Sequence, residues 1–196
     1  MAARPHWAAL VLAGGQSRRM GQDKALMDWG GRPMLARVVA IAQACTAHVY
    51  GLTPWPERYG HLDLGTICWL TDLYPGEGPL LALVAGLGQI EADWVLLLAC
   101  DLPCLEVTVL QAWAARLSSL PSTTLAAVPR RPAGWEPLCG FYRPRAVSEL
   151  QDYARLGGRS LQAWLDQVET WAFAVDSPTE RMLHNCNTPD DMTDKK

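Results

Sequence analysis

The chain has 196 residues, 49% of them apolar and 19% charged, with a net charge of −3. That length buries a core without disulfides or metals to staple it and suits one domain, 1–196. The weak acidity excludes a general nucleic-acid or membrane-surface binder and makes any local basic cluster a site for a small anion. No segment reaches the roughly 20 apolar residues of a membrane helix. The apolar run 7–13 behind Arg4 leads into Gly-Gly-Gln-Ser-Arg-Arg, not into a small-residue cleavage site, so a cytoplasmic protein is expected. The six cysteines form no C-x-x-C pair and read as reduced, mostly buried thiols rather than a zinc site.

Residues 7–13 make a near-continuous apolar strand of the kind buried on both faces of a parallel sheet. After a glycine-rich loop and a short apolar stretch at 26–29, Pro33 opens a helix to about Ala44, with Leu35, Val38, Val39 and Ala42 on one face. Strands follow at 48–53 and 66–71, separated by an irregular connection at 54–65. A Gly/Pro-rich loop at 74–79 precedes a helix over 80–89, and 94–100 (WVLLLAC) is the most apolar strand of the chain. A helix at about 106–118 and strands at 124–128 and 138–143 come next. A helix is expected at 144–156, and a second opens at Gly157 and Gly158 and runs to about Val168. A strand at 171–175, a loop at 184–189 and a short terminal helix complete the reading. Strands alternating with helices over the first 130 residues predict βαβ units and a mostly parallel sheet in an α/β fold.

The chemistry concentrates at residues 10–24, LVLAGGQSRRMGQDK. Ala13, Gly14 and Gly15 let the backbone pass close to a ligand, and successive N–H groups in such a loop bind anions. Arg18, Arg19 and Lys24 add full charges, a combination suited to a polyphosphate, while Asp23 can orient one of the cations or a metal. The spacing matches neither the dinucleotide fingerprint nor the P-loop. In open α/β sheets ligands bind beyond the carboxyl ends of the strands, where Thr53, Asp72 and Asp101 also fall. Asp101, capping the most apolar strand, is placed to hold Mg²⁺, which takes one or two carboxylates plus phosphates and water. The plainer reading makes it a cap or turn residue ahead of Pro103. Asp72 is either a turn former or a carboxylate that accepts from a ribose hydroxyl or the paired N–H groups of a guanine edge. Arg155, Arg159, Asn185 and Asn187 can surround a second anion, with the Gly157/Gly158 N–H groups at a helix start. The histidines show no metal or triad spacing, and the nine tryptophans read as core and edge fillers.

These blocks, in this order, resemble the molybdenum cofactor guanylyltransferases: LAGGQSRRMGQDKA, LTDLYPGEGPL, ACDLPCL and HNCNTPDDM. The resemblance implies a Rossmann-like nucleotidyltransferase fold, three-layer α/β/α, and transfer of GMP from GTP to molybdopterin with release of pyrophosphate. It implies that Leu12, Ala13, Gly14, Gly15, Lys24, Asp72 and Asp101 contact GTP, and that Asp101 carries Mg²⁺. Arg19, Gly78, Arg159, Asn185 and Asn187 match the pterin and phosphate side, with Arg19, Lys24 and Asp101 as the catalytic group. It also implies transient contact with molybdenum-insertion proteins. Two positions depart from the family pattern: Leu81 and Ala82 stand where a glycine is common, and Thr53 stands near an expected Asn. The rival readings are a sister enzyme using CTP on the same acceptor, a sugar-nucleotide pyrophosphorylase, and a non-catalytic nucleotide-binding protein on the same fold.

Overall fold

The computed structural model describes residues 6–14 and 23–184. One eight-stranded mixed sheet runs through them: β1 (Trp7–Leu12), β2 (Val49–Thr53), β3 (Cys68–Thr71), β4 (Trp94–Ala99), β5 (Ala126–Arg131), β6 (Gly134–Trp135), β7 (Cys139–Tyr142) and β8 (Thr170–Ala174). The spatial order is β3-β2-β1-β4-β7-β5, with β6 and β8 on opposite edges of β5. Strands β3, β2, β1 and β4 are parallel, and β7 is antiparallel to both of its neighbours.

The apolar runs read from the sequence are divided between two faces by the period of two along a strand. Trp94, Leu96 and Leu98 of β4 join Ala9 and Val11 of β1 in one core; Val95 and Leu97 join Ala8 and Leu10 in the other. Helices α1 (Met34–Cys45) and α3 (Val107–Arg116) cover the first face. Helices α2 (Pro79–Leu87), α4 (Val147–Arg155) and α5 (Leu161–Leu165) cover the second. The expected three-layer α/β/α arrangement is what this produces. Where α2 crosses β1 the contact is close enough to require glycine: a Cβ on Gly86 would overlap the Leu10 side chain, itself fully buried. Gly86→Ala is therefore expected to lower stability by about 1–3 kcal/mol, the usual cost of overpacking a core, as read from chemical denaturation midpoints. An unchanged midpoint would mean that Leu10 has room to move.

Several expectations need correction. Gly157 and Gly158 do not open a helix; they close one. The Gly157 N–H donates to Ala154 O (3.0 Å) and the Gly158 N–H to Tyr153 O (2.9 Å), with Gly157 at φ 91°. That is the hydrogen-bond pattern of a Schellman cap on α4. Ser160 caps α5 instead, accepting from the Ala163 N–H (3.2 Å), and the helix stops at Leu165 rather than near Val168. Strand β5 runs on to Arg131 and pairs with the two-residue β6, too short to leave a period in the sequence. Helix α6 (Ser177–Met182) was not anticipated although its signals are present: the Asp176 side chain accepts from the Thr179 N–H (2.9 Å), and Pro178 occupies the first turn. Of the described cysteines only Cys139 is buried; Cys68 is exposed because β3 is an edge strand. The expected terminal helix lies outside the described residues. No helix among the described residues is long and apolar enough to cross a membrane.

Candidate active site

A cleft of about 640 Å³ opens at the carboxyl ends of the parallel strands. The chain leaves β1 toward β2 on one side, while β4 lies on the other, so the cleft sits where the strand order reverses. Leu12 and Gly14 line it from the end of β1, Leu52 and Pro54 from β2, Asp72 from β3, and Cys100 and Asp101 from β4. Gly76, Gly78, Pro79 and Ala82 contribute the α2 wall, and Asp23 and Lys24 the return of the first loop.

The two ends that carry the chemistry are tied together by backbone. The Ala13 N–H donates to Leu52 O (3.0 Å) and the Cys100 N–H to Leu12 O (3.2 Å), which fixes the exits of β1 and β4 side by side. Gly14 has φ 109°, and a Cβ there would stand 3.1 Å from Thr53 Oγ1. Glycine is thus demanded both by conformation and by space. Lys24 begins a 3-10 turn (Lys24–Leu26), and its Nζ lies 3.6 Å from Asp101 Oδ2, the two side chains 22% and 21% exposed. Asp101 Oδ1 is buried with no hydrogen-bond partner among the described residues. Burial raises the Asp101 pKa above the ordinary carboxylate value, and the Lys24 charge pulls in the other direction without cancelling it.

Such an orphaned oxygen is costly unless something else claims it. A hard divalent cation fits: it takes oxygen ligands and accepts a single carboxylate when phosphates and water supply the rest. Among the described residues no group of three or more His, Cys, Asp or Glu gathers as a metal cage. Asp101 lies in a turn, as the plainer reading allows, and is not a helix cap: α3 starts at Val107, and its N-cap, Glu106, makes no side-chain cap bond. The neighbouring Cys100 is pushed up to about 12 by burial and by Asp101, so it stays a thiol at neutral pH and is neither nucleophile nor thiolate ligand.

Asp72 is a turn former that also stands in the cleft wall. Its Oδ1 accepts from the Tyr74 N–H (2.9 Å) in an Asx turn, and the same residue lines the cleft. Gly78 (φ 90°) precedes α2 with no side-chain cap, and Gly78, Pro79 and Ala82 line the cleft. Leu12 and Gly14 line the cleft as expected, and Ala13 is buried behind them. Arg159 is not brought to the cleft. Its guanidinium donates to Ala154 O (2.9 Å) and Gly158 O (2.8 Å) at the C-terminus of α4, where it complements the helix dipole. Thr53 is buried below the rim, and Leu52 and Pro54 hold the lining positions on either side of it. Gly15, Arg18, Arg19, Asn185 and Asn187 lie outside the described residues. Sequence reasoning missed Tyr59, whose hydroxyl donates to Asp23 Oδ2 (2.8 Å), because its partner is 36 residues away.

The fold and the cleft define a nucleotidyltransferase. Residues 9–171 match the model of the MobA-like NTP transferase domain, and the chain belongs to that family. A protein from a Nostoc species named "Probable molybdenum cofactor guanylyltransferase" is 50% identical over 94% of this chain and 87% of its own length. One of the same name from Synechococcus elongatus is 46% identical over 95% of this chain and 96% of its own length. Among solved structures, molybdopterin-guanine dinucleotide biosynthesis protein A from Archaeoglobus fulgidus superposes with a TM-score of 0.78 at 21% identity, covering 94% of each chain.

Proposed function

We propose that this enzyme transfers GMP from GTP to molybdopterin in a Mg²⁺-assisted reaction that releases pyrophosphate. The observation that carries nucleotidyl transfer is the Lys24–Asp101 pair at the strand-order reversal, with Asp101 Oδ1 buried and unpartnered among the described residues. The guanine nucleotide and the pterin acceptor are supported by the names of the relatives.

In the reaction, a phosphate oxygen of the acceptor attacks the α-phosphorus of GTP in line. The new P–O bond forms as the bond from the α-phosphorus to the bridging oxygen breaks, and the electron pair leaves with pyrophosphate. A phosphate monoester is largely ionised near neutrality, its second pKa being about 6, so no general base is needed. Positioning and charge stabilisation carry such transfers. Asp101 would hold Mg²⁺, which would supply Lewis-acid charge to phosphoryl oxygens. Lys24 holds its ammonium on the same phosphates, and the Gly14 and Gly15 backbone lets them approach. Arg19 adds a further positive charge. Asp72 keeps its oxygen Oδ2 for the guanine edge or the ribose. Gly78 and the first N–H groups of α2 form the acceptor side, completed by Asn185 and Asn187 from the C-terminal third. Arg159 spends one guanidinium nitrogen on the Ala154 and Gly158 carbonyls, so it can join that side only through its other N–H donors.

The test is pyrophosphate release from GTP, CTP, ATP and UTP, with and without molybdopterin and with Mg²⁺ or chelator. Release from GTP that needs both acceptor and Mg²⁺ is expected. Faster release from CTP would make the protein a cytidylyltransferase, and release without the pterin would remove that acceptor.

A further inference from the structure

Behind the lysine of the cleft stands a buried hydroxyl to which the reaction as written assigns no work. Tyr59 ends the 3-10 turn Pro56–Tyr59 after β2, is 1% exposed, and stacks its ring on Trp69 of β3 (centroids 5.9 Å apart, planes at 20°). Its hydroxyl reaches out of this apolar setting to donate to Asp23 Oδ2 at 2.8 Å. The other oxygen of Asp23 accepts from the Ala25 N–H at 3.0 Å and so caps the turn that begins at Lys24. Asp23 thus has each oxygen held by a different part of the molecule: one by the turn that presents Lys24, one by a buried tyrosine stacked on β3. Lys24 in turn faces Asp101 at 3.6 Å.

We propose that Tyr59, acting through Asp23, is a positioning residue that fixes where the Lys24 ammonium stands in the cleft. The proposal rests on Lys24 acting in nucleotidyl transfer. The physical reason is the return of the first loop: Lys24 enters the cleft on a single turn of 3-10 helix, which has little stiffness of its own. A carboxylate with two oxygens can clamp that turn only if the second oxygen is anchored to something that does not move. A ring buried to 1% exposure and stacked on a strand residue is such an anchor. Displacing a charge-stabilising group by about 1 Å costs on the order of 100-fold in rate, so losing the anchor registers in catalysis before it registers in folding.

The test compares Tyr59→Phe, Asp23→Asn, Lys24→Ala and the Tyr59→Phe/Lys24→Ala double variant by pyrophosphate release, with thermal midpoints measured alongside. Tyr59→Phe keeps the ring and its stacking. It is expected to lower kcat about tenfold while KM for GTP stays within about threefold, the pattern of an interaction made chiefly in the transition state. Asp23→Asn, which removes the charge and puts an amide NH2 in place of one of the two accepting oxygens, should lose kcat to a similar degree. In the Lys24→Ala background, adding Tyr59→Phe should change kcat by less than about twofold, because the group being positioned is gone. Normal kcat in Tyr59→Phe, or the same fold loss with and without Lys24, overturns the proposal. Near-normal turnover of Lys24→Ala alone would instead remove Lys24 from the mechanism, which is a separate failure read from a separate variant.

Discussion

Asp101→Asn is expected to yield a protein that melts at a higher temperature than the parent at neutral pH and turns over at least about a hundredfold more slowly, the scale set by loss of one preorganised electrostatic group. The opposed effects have one cause. Burial raises the Asp101 pKa in the folded protein, and Lys24 at 3.6 Å only partly offsets it. In the unfolded chain the carboxyl titrates near its ordinary value of about 3.9. A group whose folded pKa exceeds its unfolded pKa supports the fold fully below the unfolded value and loses that support as pH rises through the folded value. As pH rises the folded wild-type protein must ionise a carboxyl whose Oδ1 nothing among the described residues satisfies. The amide removes the charge and with it the burden. The gain should shrink as pH falls and vanish below the ordinary carboxylate range. Melting must be followed without nucleotide or divalent ion, since a bound ligand stabilises the fold by mass action. A lower midpoint for the variant at pH 7, or a difference independent of pH, contradicts this account of the site. Stability surrendered at a functional group is a common trade in enzymes.

Lys24→Ala should lose at least about a hundredfold in kcat for the same electrostatic reason, and it should also move the pH dependence. The ammonium is the chief influence holding the Asp101 pKa down against burial. Without it the carboxyl protonates at higher pH, so the acid limb of kcat/KM should shift upward relative to the parent. Lys24→Arg restores a charge but as a wider planar group on a different reach, and should recover only part of the rate. Activity within a few-fold of normal in Lys24→Ala, or an acid limb that does not move, would detach the lysine from both roles.

The parts of the cleft legible in the sequence are those where one short stretch carries its own physical logic. The glycine turn after an apolar strand, the aspartate after WVLLLAC, and the Gly-Pro start of a helix can each be read without knowing what stands opposite. The parts misread depend on partners far along the chain. Gly157 and Gly158 look the same in sequence whether they start a helix or end one, and only the bonds back to Ala154 and Tyr153 decide it. Arg159 looks like a free cation until the α4 carbonyls are seen to occupy it. Asp23 reads as an orienter of a cation or a metal, but its bonds to the Ala25 N–H and the Tyr59 hydroxyl are visible only in the fold.

By itself the sequence determined the α/β class, the βαβ start, the two strand exits that bear Gly14 and Asp101, and a family resemblance that the comparisons establish. Apolar periodicity and turn chemistry are local properties, and short stretches of chain encode them fully. Only the tertiary structure decided that β7 reverses direction beside β4, that Asp101 Oδ1 is buried without a partner among the described residues while Lys24 stands at its other oxygen, and that Tyr59 braces the turn from the segment after β2. Each of these is a relation between residues brought together by burial of two cores on one sheet, and burial is settled by the whole chain at once.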